Sequence, residues 1–201
     1  IRSRGLGDVY KRQIYNNTDE IKRQILFMKE CQKKIKKILA ICWGMQVAVV
    51  AAGGEVKKSS NGSHIGIAFD IELNSNGQRH PIYKGKKKKF CSPAFNFDEV
   101  VTLPKDATLL ASNNINKISS ISFNHEKSEI WGIQYHPEIK YEKMIELIKF
   151  RKDRLINQRK AFKSYDEIDH HISLIKNELS KSEINHRMIE LKNWLGSING
   201  N

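Results

Sequence analysis

The segment "ILAICWGMQVAVVAAGG", residues 38 to 54, constrains the fold more than any other part of the chain. An apolar run of strand length passes through Cys42 directly into a run of small and apolar residues that closes on a glycine pair. "KILAIC" predicts a short buried strand, and "WGMQVAVVAAGG" a helix capped by Gly53 or Gly54, where the left-handed cap conformation favours glycine. Upstream, from Thr18, residues Ile21, Ile25, Met28 and Cys31 recur at helical spacing. Asp19 and Glu20 near the start and lysines 33, 34, 36 and 37 near the end suit the helix dipole. Helix, buried strand, turn and helix in that order indicate an α/β layered fold.

Residues 64–135 change character. "HIGIAFDIEL" alternates like a strand and "NSNGQ" is turn chemistry. "FDEVVTLP", "ATLLAS", "ISSISFN" and "EIWGIQYH" predict further short strands, the last ending at His136-Pro137-Glu138. From Lys140 the pattern is helical, with two capping boxes, Ser164 with Glu167 and Ser180 with Glu183. Ile168, Ile172, Ile175 and Leu179 form one apolar stripe, and Ile184, Met188, Leu191 and Leu195 the next. Both read as packing faces, against the domain or a partner.

A cysteine where a strand meets a helix is either a buried thiol or a nucleophile. A nucleophile needs exposure on a sharp turn, a lowered pKa and a base within reach. Ala40 and Gly44, two residues either side of Cys42, are small enough to let such an elbow close, and the helix N-terminus favours a thiolate. In "WGIQYHPE", side chains two apart on an extended segment point the same way, so His136 and Glu138 can pair as base and orienting carboxylate.

Taken together, "AICWGMQ", "FDEVVTLP" and "GIQYHPE" resemble class I glutamine amidotransferases, the triad-type glutaminase domains of the kind found in GMP synthetase. The resemblance covers about residues 20–150, and the C-terminal "IELKNWL" matches stand-alone GMP-synthetase-like members more loosely. It implies a three-layer, flavodoxin-like mixed sheet with an antiparallel strand excursion and a C-terminal helical appendage. It also implies that Cys42 attacks the side-chain amide of glutamine to give a glutamyl thioester and ammonia, with His136 as base and Glu138 as its orienter. The Trp43 backbone N–H would supply one oxyanion donor, and Gln46 would help hold the glutamine. No cofactor is implied. The ammonia would pass to a separate acceptor-activating synthetase subunit.

Three departures stand out. Ala40 replaces the family's usual first glycine. "FNFD" at 95–98 places Asn96 where the family carries a histidine. The family's upstream strand–helix–strand unit, with the glycine-rich loop that supplies a second oxyanion donor, has no counterpart in the 41 residues before Cys42. Residues 1–13, "IRSRGLGDVYKRQ", lack helical or strand periodicity and resemble an adapter-derived leader. The expected organisation is thus a non-native leader at 1–13, an N-terminally incomplete amidotransferase domain at 14–150 and a helical extension at 151–201. Such a chain would be inactive or poorly folded by itself.

Composition narrows the alternatives. No apolar run approaches the roughly 20 residues of a membrane span, and residues 1–13 hold no apolar core of a secretory signal. Cys31, Cys42 and Cys91 form an odd set with neither paired nor metal-ligand spacing, which points to reduced thiols in the cytoplasm and to no structural metal. The net charge of +13 is spread over helical surfaces. Its one dense run, Lys84 to Lys89, has no aromatic interleaving and reads as a solvated loop, or as a contact for a phosphate-bearing substrate or acidic partner, rather than a nucleic-acid site. The competing functions are a γ-glutamyl peptide hydrolase on the same fold and a non-catalytic binding module.

Overall fold

The computed structural model describes residues 13–16, 18–181 and 183–199, so the expected leader lies, apart from Gln13, outside the described residues. Helix α1 (Asp19–Lys34) starts where Thr18 Oγ1 accepts the Ile21 N–H. It leads into β1 (Lys37–Ile41), Cys42 and α2 (Trp43–Ala51). Gly53, at φ +87°, then reverses the chain into β2 (Glu55–Lys58). The expected strand over 64–73 is two strands, β3 (His64–Ile65) and β4 (Ala68–Leu73). Gly66 breaks it at φ +85°, where a side chain would strike Ile148 and Ile175.

The turn chemistry of "NSNGQ" takes the form of a short helix. Asn74 caps α3 (Ser75–Arg79) by accepting the Gly77 N–H at 2.8 Å, and Gly77 packs too closely on the Leu110 carbonyl to carry a Cβ. Strands β5 (Lys89–Ser92), β6 (Phe95–Asn96), β7 (Asp98–Thr102), β8 (Thr108–Ser112), β9 (Ser120–His125) and β10 (Ser128–Ile133) follow. The C-terminal part is α4 (Tyr141–Asn157), α5 (Tyr165–Lys181), α6 (Ile184–Arg187) and α7 (Ile189–Asn199). Helix α4 crosses the position expected to divide domain from extension.

Among the described residues the main sheet has six strands in the order β1-β10-β9-β8-β4-β5, in which β1 and β10 are parallel and every other pair antiparallel. Ile21, Met45, Val47 and Val49 from α1 and α2 cover one face over Ala40, Ile121 and Ile130. Ile82, Tyr83 and Trp194 pack on the other over Leu110, Trp131 and Ile133. This is the expected layered α/β arrangement with a mixed sheet.

A third cluster joins the β3/β6 pair to α4 and α5, and Ile168, Ile172 and Ile175 sit in it as the first stripe requires. The second stripe does not pack in the same way. Ile184 is 59% exposed and Leu195 50%, while α7 buries Glu190 completely. Glu190 ion-pairs with Lys86 at 2.9 Å, both side chains removed from solvent. Lys86 therefore leaves the solvated-loop reading, and Lys88 and Lys89 pair with Glu72 and Asp70. Burial lowers the Lys86 pKa, opposed by the Glu190 charge. Of the two capping boxes, Ser164 accepts the Glu167 N–H at 3.3 Å. Ser180 lies in the last turn of α5 and donates to the Asn177 carbonyl instead.

Candidate active site

Parallel pairing of β1 with β10 builds the site. The register matches Ala40 with Gly132 and Ile41 with Ile133, and the Cys42 N–H extends the ladder by donating to the Ile133 carbonyl at 2.7 Å. Both chains thus leave the sheet at the same end, where ligands gather in α/β folds. Ala40, buried, lies opposite Gly132, where a Cβ would crowd Met45 and Ile121.

Cys42 occupies φ 51°, ψ −106°, a conformation that only glycine adopts without strain. It holds the N-cap of α2, so the Trp43 N–H is the first of the helix and lacks an intrahelical acceptor. A side chain on Gly44 would meet nothing within 4 Å, so the turn does not need glycine there for space.

His136 and Glu138 come together by a route other than the extended strand expected. Strand β10 ends at Ile133, and the Ile139 N–H closes a turn onto the His136 carbonyl at 3.2 Å. Within that turn His136 Nδ1 lies 2.6 Å from Glu138 Oε1, which leaves Nε2 for Cys42. Burial pushes the imidazole pKa down. Hydrogen bonds to Cys42 and Glu138, with the charges of both, outweigh burial and raise it to about 10. Cys42 and His136 are thus hydrogen-bonded neighbours at the cleft, the arrangement that a thiol nucleophile and its base require.

These groups open onto a cleft of about 410 Å³, lined by Cys42, His136, Gln46, Trp43 and the aromatic rings of Phe95 and Phe97. The Trp43 indole is fixed by donating to Gln24 Oε1 at 2.6 Å. Gln46 reaches the cleft, yet its Nε2 is shared between the Asp98 carbonyl and Gln134 Oε1, both at 3.3 Å, so a ligand would meet its Oε1. Arg159, beyond the end of α4, stacks over Phe97 and lines the same cleft. Asp98 accepts from Gln13 and Tyr15 there, and its pKa is raised chiefly by burial.

Two polar groups with no role in the sequence reading complete the floor. Gln134, 2% exposed, accepts from Gln46 and donates to Cys42 Sγ at 3.4 Å. Its place in "GIQYHPE" is visible, but its contact depends on the β1–β10 register. Asn96 donates to the Asp98 carbonyl and to Asn116, and its Oδ1 lies 2.9 Å from His64 Nδ1. Burial lowers the His64 pKa, and Asn113 meets its other ring nitrogen, so the ring is neutral and structural. Three His, Cys, Asp or Glu residues placed to hold a metal do not occur among the described residues.

Residues 3–152 match the family described as glutamine amidotransferase class-I. The chain belongs to that family. The matched span includes Cys42, His136 and Glu138, and it ends within α4.

Among curated relatives, a gamma-glutamyl-L-1-hydroxyisopropylamide hydrolase from a Pseudomonas species is 39% identical over 120 residues, 58% of this chain and 40% of that protein. A glutamine-hydrolyzing GMP synthase subunit from Methanosphaera stadtmanae is 38% identical over 104 residues, 52% of each chain. The chain spans about half the length of the curated relatives it matches. A solved glutamine amidotransferase from Thermotoga maritima superposes with a TM-score of 0.68 at 19% identity, covering 94% of this chain and 75% of that one. At that identity it shows a shared fold. No described helix is long and apolar enough to cross a membrane.

Proposed function

We propose that this amidotransferase domain hydrolyses the side-chain amide of glutamine through Cys42, His136 and Glu138. The observation that carries the reading is the convergence of Cys42, on its strained elbow, with an imidazole held 2.6 Å from a carboxylate across one cleft. His136 holds the thiol proton, and the Cys42 thiolate attacks the amide carbon. The Trp43 N–H at the start of α2 steadies the developing oxyanion. His136 then hands the proton to the departing nitrogen, releasing ammonia and leaving a glutamyl thioester. A water gives its proton to His136, hydroxide cleaves the thioester, and glutamate leaves. Asp98 and Arg159, of opposite charge on the cleft wall, suit the α-ammonium and α-carboxylate of the substrate.

The relatives that are glutamine-hydrolyzing GMP synthase subunits support delivery of the ammonia to a separate synthetase subunit. Three free cysteines support a reducing, cytoplasmic setting. We assign 14–150 to the amidotransferase domain and 151–201 to its helical extension, with α4 shared between them.

A second reading has its own support. The apolar wall of Trp43, Phe95 and Phe97 suits an N-alkyl group, and one relative is named as a hydrolase of an N-substituted γ-glutamyl amide. Product release from glutamine and from an N-alkyl γ-glutamyl amide, compared in the wild type and Cys42→Ala, tests both. Faster release from glutamine, abolished by the substitution, supports the glutaminase. Faster release from the N-alkyl amide favours the hydrolase, and release that survives Cys42→Ala defeats both.

A further inference from the structure

The turn that carries His136 and Glu138 is held from outside the cleft by the C-terminal helices. Arg187, the last residue of α6 and 8% exposed, donates through one Nη1 to the carbonyls of both Pro137 and Ile139, the latter at 2.8 Å. These two carbonyls flank Glu138, so tying both fixes the backbone from which the carboxylate projects. Charged donors make stronger hydrogen bonds than neutral ones, and this one is buried.

The residue before His136 is tied in the same way. The buried Tyr135 hydroxyl donates to Glu190 Oε1 at 2.8 Å, while Glu190 Oε2 takes Lys86 Nζ at 2.9 Å. Lys86 also donates to the His186 carbonyl at 2.9 Å, which closes the assembly on itself. Residues 135, 137 and 139 therefore each answer to residues 187 or 190. Residues 136 and 138 make the 2.6 Å contact beside the cleft. Catalytic contacts respond to displacements well below 1 Å, so a clamp of this kind acts on rate as well as on stability.

We propose that Arg187, seconded by Glu190, is a positioning residue that holds the His136–Ile139 turn so that Glu138 is aimed at His136. This inference rests on the reading of His136 and Glu138 as base and orienter. It gives the C-terminal helices a part in the reaction beyond packing.

The test follows the pH dependence of Cys42 alkylation by iodoacetamide, read peptide by peptide so that Cys31 and Cys91 are separated. Wild type, Arg187→Met, Arg187→Lys, Tyr135→Phe and His136→Ala are compared in the 201-residue chain. In Arg187→Met the reactivity of Cys42 below neutral pH is expected to fall by about tenfold, and the profile to move toward that of His136→Ala. Arg187→Lys, which can still reach one carbonyl, should recover much of the loss. Tyr135→Phe is expected to shift the profile in the same direction by less, and serves if Arg187→Met does not fold. A lowered Tm with a wild-type alkylation profile in both Arg187→Met and Tyr135→Phe would overturn the inference and leave the dyad intact. A wild-type profile in His136→Ala would overturn the reading of the dyad itself, and this inference with it.

Discussion

His136 Nδ1 and Glu138 Oε1 lie 2.6 Å apart across a turn closed by the Ile139 N–H. Side chains two apart on a strand can also meet, as Trp131 and Glu129 do on β10 at 2.8 Å, but β10 has ended by Ile133 and a turn brings this pair together. The turn bends the backbone so that the carboxylate folds back onto the ring. One nitrogen is thereby committed, and the other faces Cys42.

That contact has a pH signature. His136 keeps its proton to about pH 10 in the folded chain, against about 6.5 for an unperturbed histidine. A raised folded value stabilises the native state fully below about pH 6.5, and the contribution is lost as pH climbs through about 10. The Tm difference between wild type and His136→Gln should accordingly be largest near pH 6 and shrink by pH 10. Glu138→Gln should move the end of this window to lower pH, because it removes one of the groups that raise the imidazole.

Strain at Cys42 adds to the ordinary preference of a helix N-cap for glycine over alanine. Its φ of 51° with ψ of −106° suits glycine, so Cys42→Gly should be more stable than Cys42→Ala by about 1–2 kcal/mol. Chemical denaturation of the two variants measures this directly. Equal stability of the two variants, or a more stable Cys42→Ala, would contradict the strain.

Gln134 joins Gln46 to the thiol, accepting from one and donating to the other. Gln134→Leu keeps the volume but removes one of the two acceptors of Gln46 Nε2, the Asp98 carbonyl remaining, which should cost about 1 kcal/mol. The same substitution removes a donor from Cys42 Sγ, so the alkylation rate of Cys42 at low pH should fall too. Gln134→Glu would instead place a second carboxylate beside the thiol and should slow alkylation further.

Lys86 and Glu190 are a buried pair linking the basic run to α7. Lys86→Met leaves the Glu190 carboxylate buried with the Tyr135 hydroxyl but no cation, a change expected to cost about 3–5 kcal/mol. Lys86→Met combined with Glu190→Leu should recover a large part, because the uncompensated charge is then gone. Thermal unfolding of the two variants checks the order.

The parts of the fold legible in the sequence were those set by short-range pattern. The apolar run before Cys42 and the small residues after it are enough for strand, elbow and helix, and the stripe through Ile168, Ile172 and Ile175 is enough for a packed α5. Contacts set by register were less legible. Gln134 touches Cys42 only because β1 pairs with β10 in one register, and Lys86 meets Glu190 across 104 residues of chain. The turn at "NSNGQ" becomes a short helix through a side-chain cap, Asn74 to Gly77. His136 and Glu138 meet in a turn where an extended strand end was expected, since a strand and a turn both leave residues two apart on one side.

The most direct measurement is affinity labelling with a glutamine analogue carrying an electrophile at the amide position, followed by peptide mapping. Label confined to Cys42, suppressed by glutamine and lost in His136→Ala, is the predicted result. Label spread evenly over Cys31, Cys42 and Cys91, with no protection by glutamine, would contradict the assignment of Cys42 as the nucleophile of a glutamine site.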